Sequence, residues 1–460
     1  MKIQFLGATQ TVTGSRYLIS KGKTKVLVDC GLFQGFKHLR LKNWDKLSFD
    51  VSEIDAVLLT HAHLDHSGYL PLLIKSGFNG RIYATQATID LCSLLLPDSG
   101  YLQEEEASFA NKHGYSKHSP AKPLYTEEDA KLCMDYFTPI KWKERSSISH
   151  PGSTDKIEFE FFPAGHLLGA ASILVKGDGK TIVFSGDLGR TDDPVTRVPH
   201  FDGNECDDLV IESTYGNKKH LNQDPKAALK EIILKTFNRN GTVIIPSFAV
   251  GRAQLVLYYI HQLKLENQIP DIPVYLNSPM ASKTNQILGK HSKETKMSLE
   301  IINSICHTAR VIGSTEESIT LNENKTPKII IAASGMATGG RVLHHLKSFG
   351  PDPKNSIVFV GFQAGGTRGD SLVRGAEEIK IHGTFWPMRA EIVQIDSMSA
   401  HADADGLLGW ISGFKQKPRR VFVTHGEPEA AEEMRRRIEF ELEINAVTPE
   451  FGQIFDTDLY

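Results

Sequence analysis

Hydrophobic positions in the first two hundred residues come in short runs rich in Val, Ile and Phe. They are "KVLVDCG", "AVLLTHAH", "RIYAT", "IEFEFFPAGH", "TIVFSGD" and "DLVIEST". Most break at Gly, Asp or His, so the pattern predicts strands whose carboxyl ends carry polar side chains. The start, "MKIQFLGATQ", reads as a further strand running into Gly7. Helical spacing appears in "TQATIDLCSLLLPD" and "TEEDAKLCMDYF", the second with acidic residues in its first turn, as helix starts prefer. Between them "SGYLQEEEASFANKHGYSKHSPAKP" is polar and weakly patterned and is expected to be a long surface excursion.

From about Lys218 the rhythm changes. Longer helical segments ("DPKAALKEIILKTFNR", "GRAQLVLYYIHQLKLEN", "ASKTNQILGKHSKETKMSLEIINSI") alternate with "GTVIIPS", "IPVYLNS", "KIIIAAS" and "SIVFVGF". This alternation predicts a parallel sheet covered by helices. Near Ile392 the first style returns in "EIVQIDSMSAHAD" and "RRVFVTHGE". The expectation is one domain interrupted by another: residues 1–213 and 391–460 form the first, and 214–390 the insertion.

Composition narrows the function classes. At 460 residues the chain holds one to three domains. No apolar run approaches the ~20 residues of a membrane span, and the N-terminus lacks a secretory pattern, so no membrane partner is expected. Five cysteines, scattered and never in a CxxC pair, read as free thiols of a reducing cytoplasm. A net charge of −3 leaves no broad basic footprint, so any polyanion must be gripped locally. The basic run "KQKPRR" (415–420) reads as a solvated turn.

The densest chemistry is "HAHLDH". In extended chain, side chains repeat every second position, so His61 and His63 can both reach one metal ion. Asp65 and His66 lie just beyond, in reach of a second. Imidazole nitrogen with carboxylate oxygen is a zinc-type donor set. Other strand ends offer His166, Asp187, His425 and Asp29. Singly each is weak, since Asp after a strand is commonly a turn former. Together they compose a two-metal site. His61, His63 and His166 would hold one ion, Asp65, His66 and His425 the other, with Asp187 bridging.

Asp29, the HxHxDH run, His166, Asp187 and His425 resemble, in order, the motifs of the metallo-β-lactamase fold. Glu212 in "VIESTYG", His401 in "SAHAD" and the final His425 in "THGE" are similar to the pattern of its β-CASP nucleic-acid-processing branch, as are "PSFAVGRAQ", "GMATGGR" and "VGFQAGGTRG". The resemblance implies an α/β protein, an αββα metallo-β-lactamase sandwich interrupted by a β-CASP domain with a mostly parallel sheet. It implies a ribonuclease of the short two-domain bacterial type, similar to the endonuclease of messenger-RNA 3′-end processing. His at the last motif favours RNA over DNA. Two Zn2+ ions would activate a hydroxide for in-line attack on phosphorus. Asp29 would orient a ligand histidine, and His401, kept cationic by Glu212, would protonate the leaving ribose oxygen.

The inserted region offers anion grips at Gly-rich strand-to-helix turns, where backbone N–H groups can approach a phosphate. Candidates are Ser247, Gly251 and Arg252 in one turn and Gly335, Thr338, Gly339, Gly340 and Arg341 in another, with Arg368 as a third contact. The implied partner is single-stranded RNA, and a homodimer stays open. Two other readings compete: a small-molecule thioester or lactone hydrolase of the same fold, and a non-catalytic RNA-binding subunit. The Glu212/His401 pair argues against the first, and the complete ligand set against the second.

Overall fold

The structure is a computed structural model, describing residues 1–114, 118–202, 206–220 and 223–458. The chain divides into two compact units, Met1–Lys219 with His401–Tyr460, and His220–Ala400. The expected junctions at 213/214 and 390/391 thus move to 219/220 and 400/401. The strand Glu391–Gln394, whose sequence style suggested the first domain, pairs with Ser356–Phe359 in the sheet of the second unit.

The first unit is a sandwich of two seven-stranded mixed sheets. In one, Thr24–Val28, Ala56–Leu58, Arg81–Ala84 and Phe137–Pro139 run parallel, while Tyr17–Lys21, Lys2–Phe5 and Ile454–Asp456 continue it antiparallel. In the other, Asn445–Val447, Arg420–Val423, Asp208–Ile211 and Lys180–Phe184 are parallel, extended antiparallel by Ala171–Gly177, Lys156–Pro163 and Ser146–Ser149. The strand Lys156–Pro163 shows the cause of the packing. Its alternation puts Ile157, Phe159 and Phe161 inward, where they meet Ile3, Phe5, Val26 and Val28 of the facing sheet in one core. Helix Pro428–Leu442 packs on the outer side of the second sheet, against Arg420–Val423 and Asn445–Val447. This is the expected αββα sandwich.

The second unit holds a six-stranded sheet with every pairing parallel, in the order Arg310–Val311, Val274–Asn277, Ile329–Ala332, Val243–Pro246, Ser356–Phe359, Glu391–Gln394. Its three central strands, Ile329–Ala332, Val243–Pro246 and Ser356–Phe359, are buried on both faces, which explains their apolar runs. A separate hairpin joins Glu378–Ile381 to Thr384–Pro387. Among the described residues no helix is long and apolar enough to cross a membrane. All five cysteines are free.

Three local expectations are corrected. The polar excursion after Ser99 is instead helical as far as His113, within one helix, Gln86–His113. Glu, Gln, Ala and Leu are strong helix formers, and Ala107 and Ala110 give it a buried side despite its weak pattern. Residues 115–117 of that stretch lie outside the described residues. The single helix expected over "ASKTNQILGKHSKETKMSLEIINSI" is two, Pro279–Lys290 and Leu299–Cys306, because Ser298 caps a new start by accepting from the Ile301 amide.

The third correction is "KQKPRR". Arg420 opens a buried strand, and its guanidinium donates to both oxygens of the fully buried Asp208, Nε at 3.0 Å and Nη2 at 3.2 Å. Removing one partner of a buried ion pair leaves an uncompensated charge. Asp208→Ala is therefore expected to lower unfolding free energy by about 3–5 kcal/mol, read by urea denaturation. An unchanged midpoint would contradict this reading of the pair.

Candidate metal centre

The predicted ligands sit where strands end. Residues 59–61 lead out of the strand Ala56–Leu58, the chain bends at Ala62 and His63, and His63 caps the short helix Leu64–Ser67. The Ser67 amide donates to the His63 carbonyl, and the Ser67 hydroxyl to those of Ala62 and His63. The segment before the helix presents His61 and His63, whose rings lie 5.0 Å apart, and the helical turn presents Asp65 and His66. Gly31 backs this turn. A Cβ there would stand 1.6 Å from the Asp65 carbonyl oxygen, so only glycine permits the approach. His166, Asp187, Glu212 and His425 each follow a strand of the second sheet. Asp29 and His425 both hold φ in the left-handed region (59° and 48°), strain of the kind that collects at functional sites.

These side chains form two adjoining groups. His61, His63, His166 and Asp187 bring ligand atoms within 4.8 Å of one another, as do Asp65, His66 and His425. Asp187 faces both. Its Oδ2 lies 3.4 Å from His61 Nε2 and 3.6 Å from His166 Nε2, and its Oδ1 lies 3.2 Å from His66 Nε2. His66 Nε2 and His425 Nε2 approach to 3.1 Å, and His63 Nδ1 and His166 Nε2 also to 3.1 Å.

Burial sets the electrostatics. It pushes His61 and His166 below the usual imidazole range and His63 to about 3, so all three stay neutral with lone pairs available. For His66 burial works the same way, but Asp187 and Asp29 outweigh it and hold its pKa well above normal. Burial opposes ionisation of Asp187 too, yet the surrounding histidines keep its pKa well below the carboxylate range.

The donor set fits metal ions. Buried His61 Nε2, His166 Nδ1 and Asp187 Oδ1 have no hydrogen-bond partner, a cost of about 1–3 kcal/mol each for an unsatisfied group. Cations beside His61 Nε2 and beside Asp187 Oδ1 would remove that cost for these two atoms, and nitrogens paired at 3.1 Å are what shared ligation produces.

Around these side chains stands a ring of hydrogen-bonding groups. Asp29 accepts from the Thr60 amide at 2.8 Å and lies 2.7 Å from His66 Nδ1. The Thr60 hydroxyl donates to Asp29 at 2.9 Å and lies 3.0 Å from His61 Nδ1. Thr214 does the same for His425, with Oγ1 3.2 Å from both Nδ1 and the carbonyl oxygen of that residue. Glu212 Oε1 accepts from the Leu188 amide at 2.7 Å, and both its oxygens lie 3.1 Å from His401 Nδ1. Burial lowers and Glu212 raises the His401 pKa, with a net rise. Thr60 and Thr214 escaped sequence reasoning. Each directly neighbours a motif residue or lies two positions from one, the only signal available.

The predicted anion grips all lie in the second unit. Ser247 and Gly251 follow the strand Val243–Pro246, and Gly335, Thr338, Gly339 and Gly340 follow Ile329–Ala332. A Cβ on Gly339 would meet nothing within 4 Å, and Thr338 is exposed. The three arginines are braced instead. Arg252 donates to the Met398 carbonyl, Arg341 to Asn277 Oδ1 and the carbonyls of Ile312 and Gly313, and Arg368 to those of Lys380 and Thr338.

The sequence matches the metallo-beta-lactamase superfamily over residues 11–221, the Beta-Casp domain over 253–372, and the Zn-dependent metallo-hydrolase RNA specificity domain over 386–449. It is 36% identical over 440 residues to Ribonuclease TTHA0252 of Thermus thermophilus, covering 93% of this chain and 94% of that protein. This chain belongs to the β-CASP branch of the metallo-beta-lactamase superfamily. It is also 31% identical to the RNase J-like protein of Methanocaldococcus jannaschii, covering 92% of each, and 31% identical to transcription termination factor FttA of Methanosarcina mazei, covering 96% of this chain and 70% of that one. A crystal structure of an Enterococcus faecalis protein of unknown function shares the fold, with TM-score 0.52, 15% identity and 99% coverage of each chain. The zinc-dependent families and the buried His/Asp cluster together point to a metal cofactor in this β-CASP protein.

Thr214 generates a prediction. Loss of a group orienting a metal ligand typically costs 10–100-fold in affinity. Thr214→Val is expected to weaken one zinc equivalent by about that factor in chelator competition, with Thr214→Ser close to the parent. Equal affinity for Val and Thr would remove the role.

Proposed function

We propose that this chain is a cytoplasmic metal-dependent ribonuclease that hydrolyses phosphodiester bonds of single-stranded RNA, with two zinc ions. The observation that carries the reading is the hydrogen-bonded pair Glu212–His401 beside a carboxylate, Asp187, that faces two histidine groups. Relatives named ribonuclease and RNase J-like over nearly their whole length support RNA as the substrate. Hydrolysis of a thioester or lactone requires no such acid pair, so that alternative is disfavoured.

When bound, the ions would supply Lewis acidity toward the phosphate and ease the ionisation of water. His61, His63 and His166 would hold one, and Asp65, His66 and His425 the other, with an Asp187 oxygen for each. Asp29, Thr60 and Thr214 accept or share the Nδ1 protons of His66, His61 and His425. They thereby leave Nε2 as the donor atom on each ring. His401 holds its Nδ1 proton toward Glu212, which leaves Nε2–H to be delivered to the departing ribose oxygen. Burial of Glu212 (2% exposed) and its bond to the Leu188 amide keep the carboxylate in place during that transfer. In the second unit, the open turn at Thr338, Gly339 and Gly340 and the turn at Ser247 and Gly251 are assigned to substrate phosphates. They lie at the carboxyl ends of adjacent parallel strands. Arg252, Arg341 and Arg368 would add positive field from fixed positions.

A timed gel with end-labelled RNA and its DNA counterpart tests the assignment. Metal-loaded protein is expected to cut RNA, with Asp187→Ala inactive and depleted of zinc. His401→Ala is expected to lose about 10²–10⁴-fold in turnover, the usual worth of a general acid, while retaining both metals. Undiminished turnover, or loss of metal, in His401→Ala would remove it from the acid role. Failure of the metal-loaded parent to cut RNA would return the small-molecule reading.

A further inference from the structure

We infer that the exposed basic and aromatic strip at residues 36–46, with the hollow beside Trp44, is a docking platform for single-stranded RNA. The inference rests on the ribonuclease reading and adds a surface that the metal centre does not include. Within the strip Lys37, Arg40, Lys42 and Lys46 stand against one acid, Asp45, in a chain whose net charge is −3. The helix Lys37–Leu41 inside it has no buried residue. Phe36, Leu41 and Trp44 are 48%, 50% and 58% exposed, so the large side chains that should pay for ordering this segment are left uncovered.

The strip is nevertheless held. Buried Asn43 accepts from the Phe33 amide at 2.9 Å and donates to the Phe33 carbonyl at 2.8 Å, closing the chain into a loop. The stretch just before it is bonded to the ligand turn, with the Cys30 amide on the His66 carbonyl and the Leu32 amide on that of Leu64. The platform is therefore anchored through main-chain bonds to the segment that carries Asp65 and His66.

Aromatic and cationic groups interleave on it. The Phe36 ring lies near-parallel to His38, centroids 5.8 Å apart, and Lys42 sits 4.5 Å over the half-exposed Phe451 ring. Trp44 borders an open hollow of about 820 Å³, walled by Lys46, Phe49, Tyr69, Leu72 and Leu124. That is room for a nucleotide base and sugar. Its acids are Asp45 and Asp50, and Asp50 is engaged by the amide and hydroxyl of Ser52. Planar rings with cations between them suit stacked bases on a phosphate backbone. A membrane surface is a poorer fit, because a five-residue helix with only Leu39 and Leu41 as apolar residues has too little to insert.

The test uses the full chain in an Asp187→Ala background, which prevents cleavage, and fluorescence anisotropy with a labelled single-stranded 20-mer RNA. Trp44→Ala and Phe36→Ala are each expected to weaken binding about tenfold. Lys37→Gln, Arg40→Gln and Lys46→Gln together are expected to flatten the salt slope by about two. Metal-loaded protein with native Asp187 and Trp44→Ala should hydrolyse a small chromogenic phosphodiester at the parental rate. Unchanged affinity and slope in all variants would overturn the platform, as would a parallel loss on the small diester, which would mean damage to the metal centre. If the same substitutions instead dissociate a dimer without changing RNA affinity, the strip joins two copies and the proposal falls. If the background protein with its strip intact binds no RNA at low salt, the platform falls, and if the metal-loaded parent also cuts no RNA, the ribonuclease reading fails with it.

Discussion

One buried carboxylate sets the terms for the metal centre. Asp187 lies between two histidine groups, with Oδ2 toward His61 and His166 and Oδ1 toward His66. It is 2% exposed, so it has lost its hydration and must be compensated by what surrounds it. The neighbouring rings provide part of that, yet Oδ1 still has no hydrogen bond. A site that keeps three imidazoles neutral by burial, around an ionised carboxylate, has the charge pattern of a cation's cradle.

The rest of the first unit serves to deliver groups to that carboxylate. Two sheets face each other across an apolar core, and the polar residues that terminate their strands emerge along one rim. Because the backbone must turn sharply there, Asp29 and His425 take left-handed conformations, and Gly31 supplies the absent side chain where chain passes chain. The threonines at 60 and 214 stand within hydrogen-bond distance of Nδ1 of His61 and His425, on the side of each ring away from Nε2. The pair Glu212–His401 is built on the same rim, where the Leu188 amide pins one carboxylate oxygen.

Much of this was legible beforehand. Strand ends at Asp29, His166, Asp187 and His425 showed in the composition of the runs, because alternation stops where the chain leaves the sheet. The HxHxDH run announced itself by density. What misled was local pattern. Residues after Ser99 look like a solvated loop because their helix buries small residues only, and small residues leave little hydrophobic signal. "KQKPRR" looks solvated because its partner, Asp208, is more than two hundred residues away. Arg252, Arg341 and Arg368 gave no local sign of the carbonyl oxygens that folding brings to each of them.

By itself the sequence determined the kinds of donor, their order along the chain, and the alternation of two structural styles, since periodicity and residue chemistry are local properties. Only the tertiary structure decided how Asp187 divides its two oxygens, which threonine meets which ring, and that Arg420 is buried against Asp208. It also decided that Phe36, Leu41 and Trp44 stay uncovered. Whether an apolar side chain is buried depends on what the remainder of the fold brings against it, and no window of sequence contains that information.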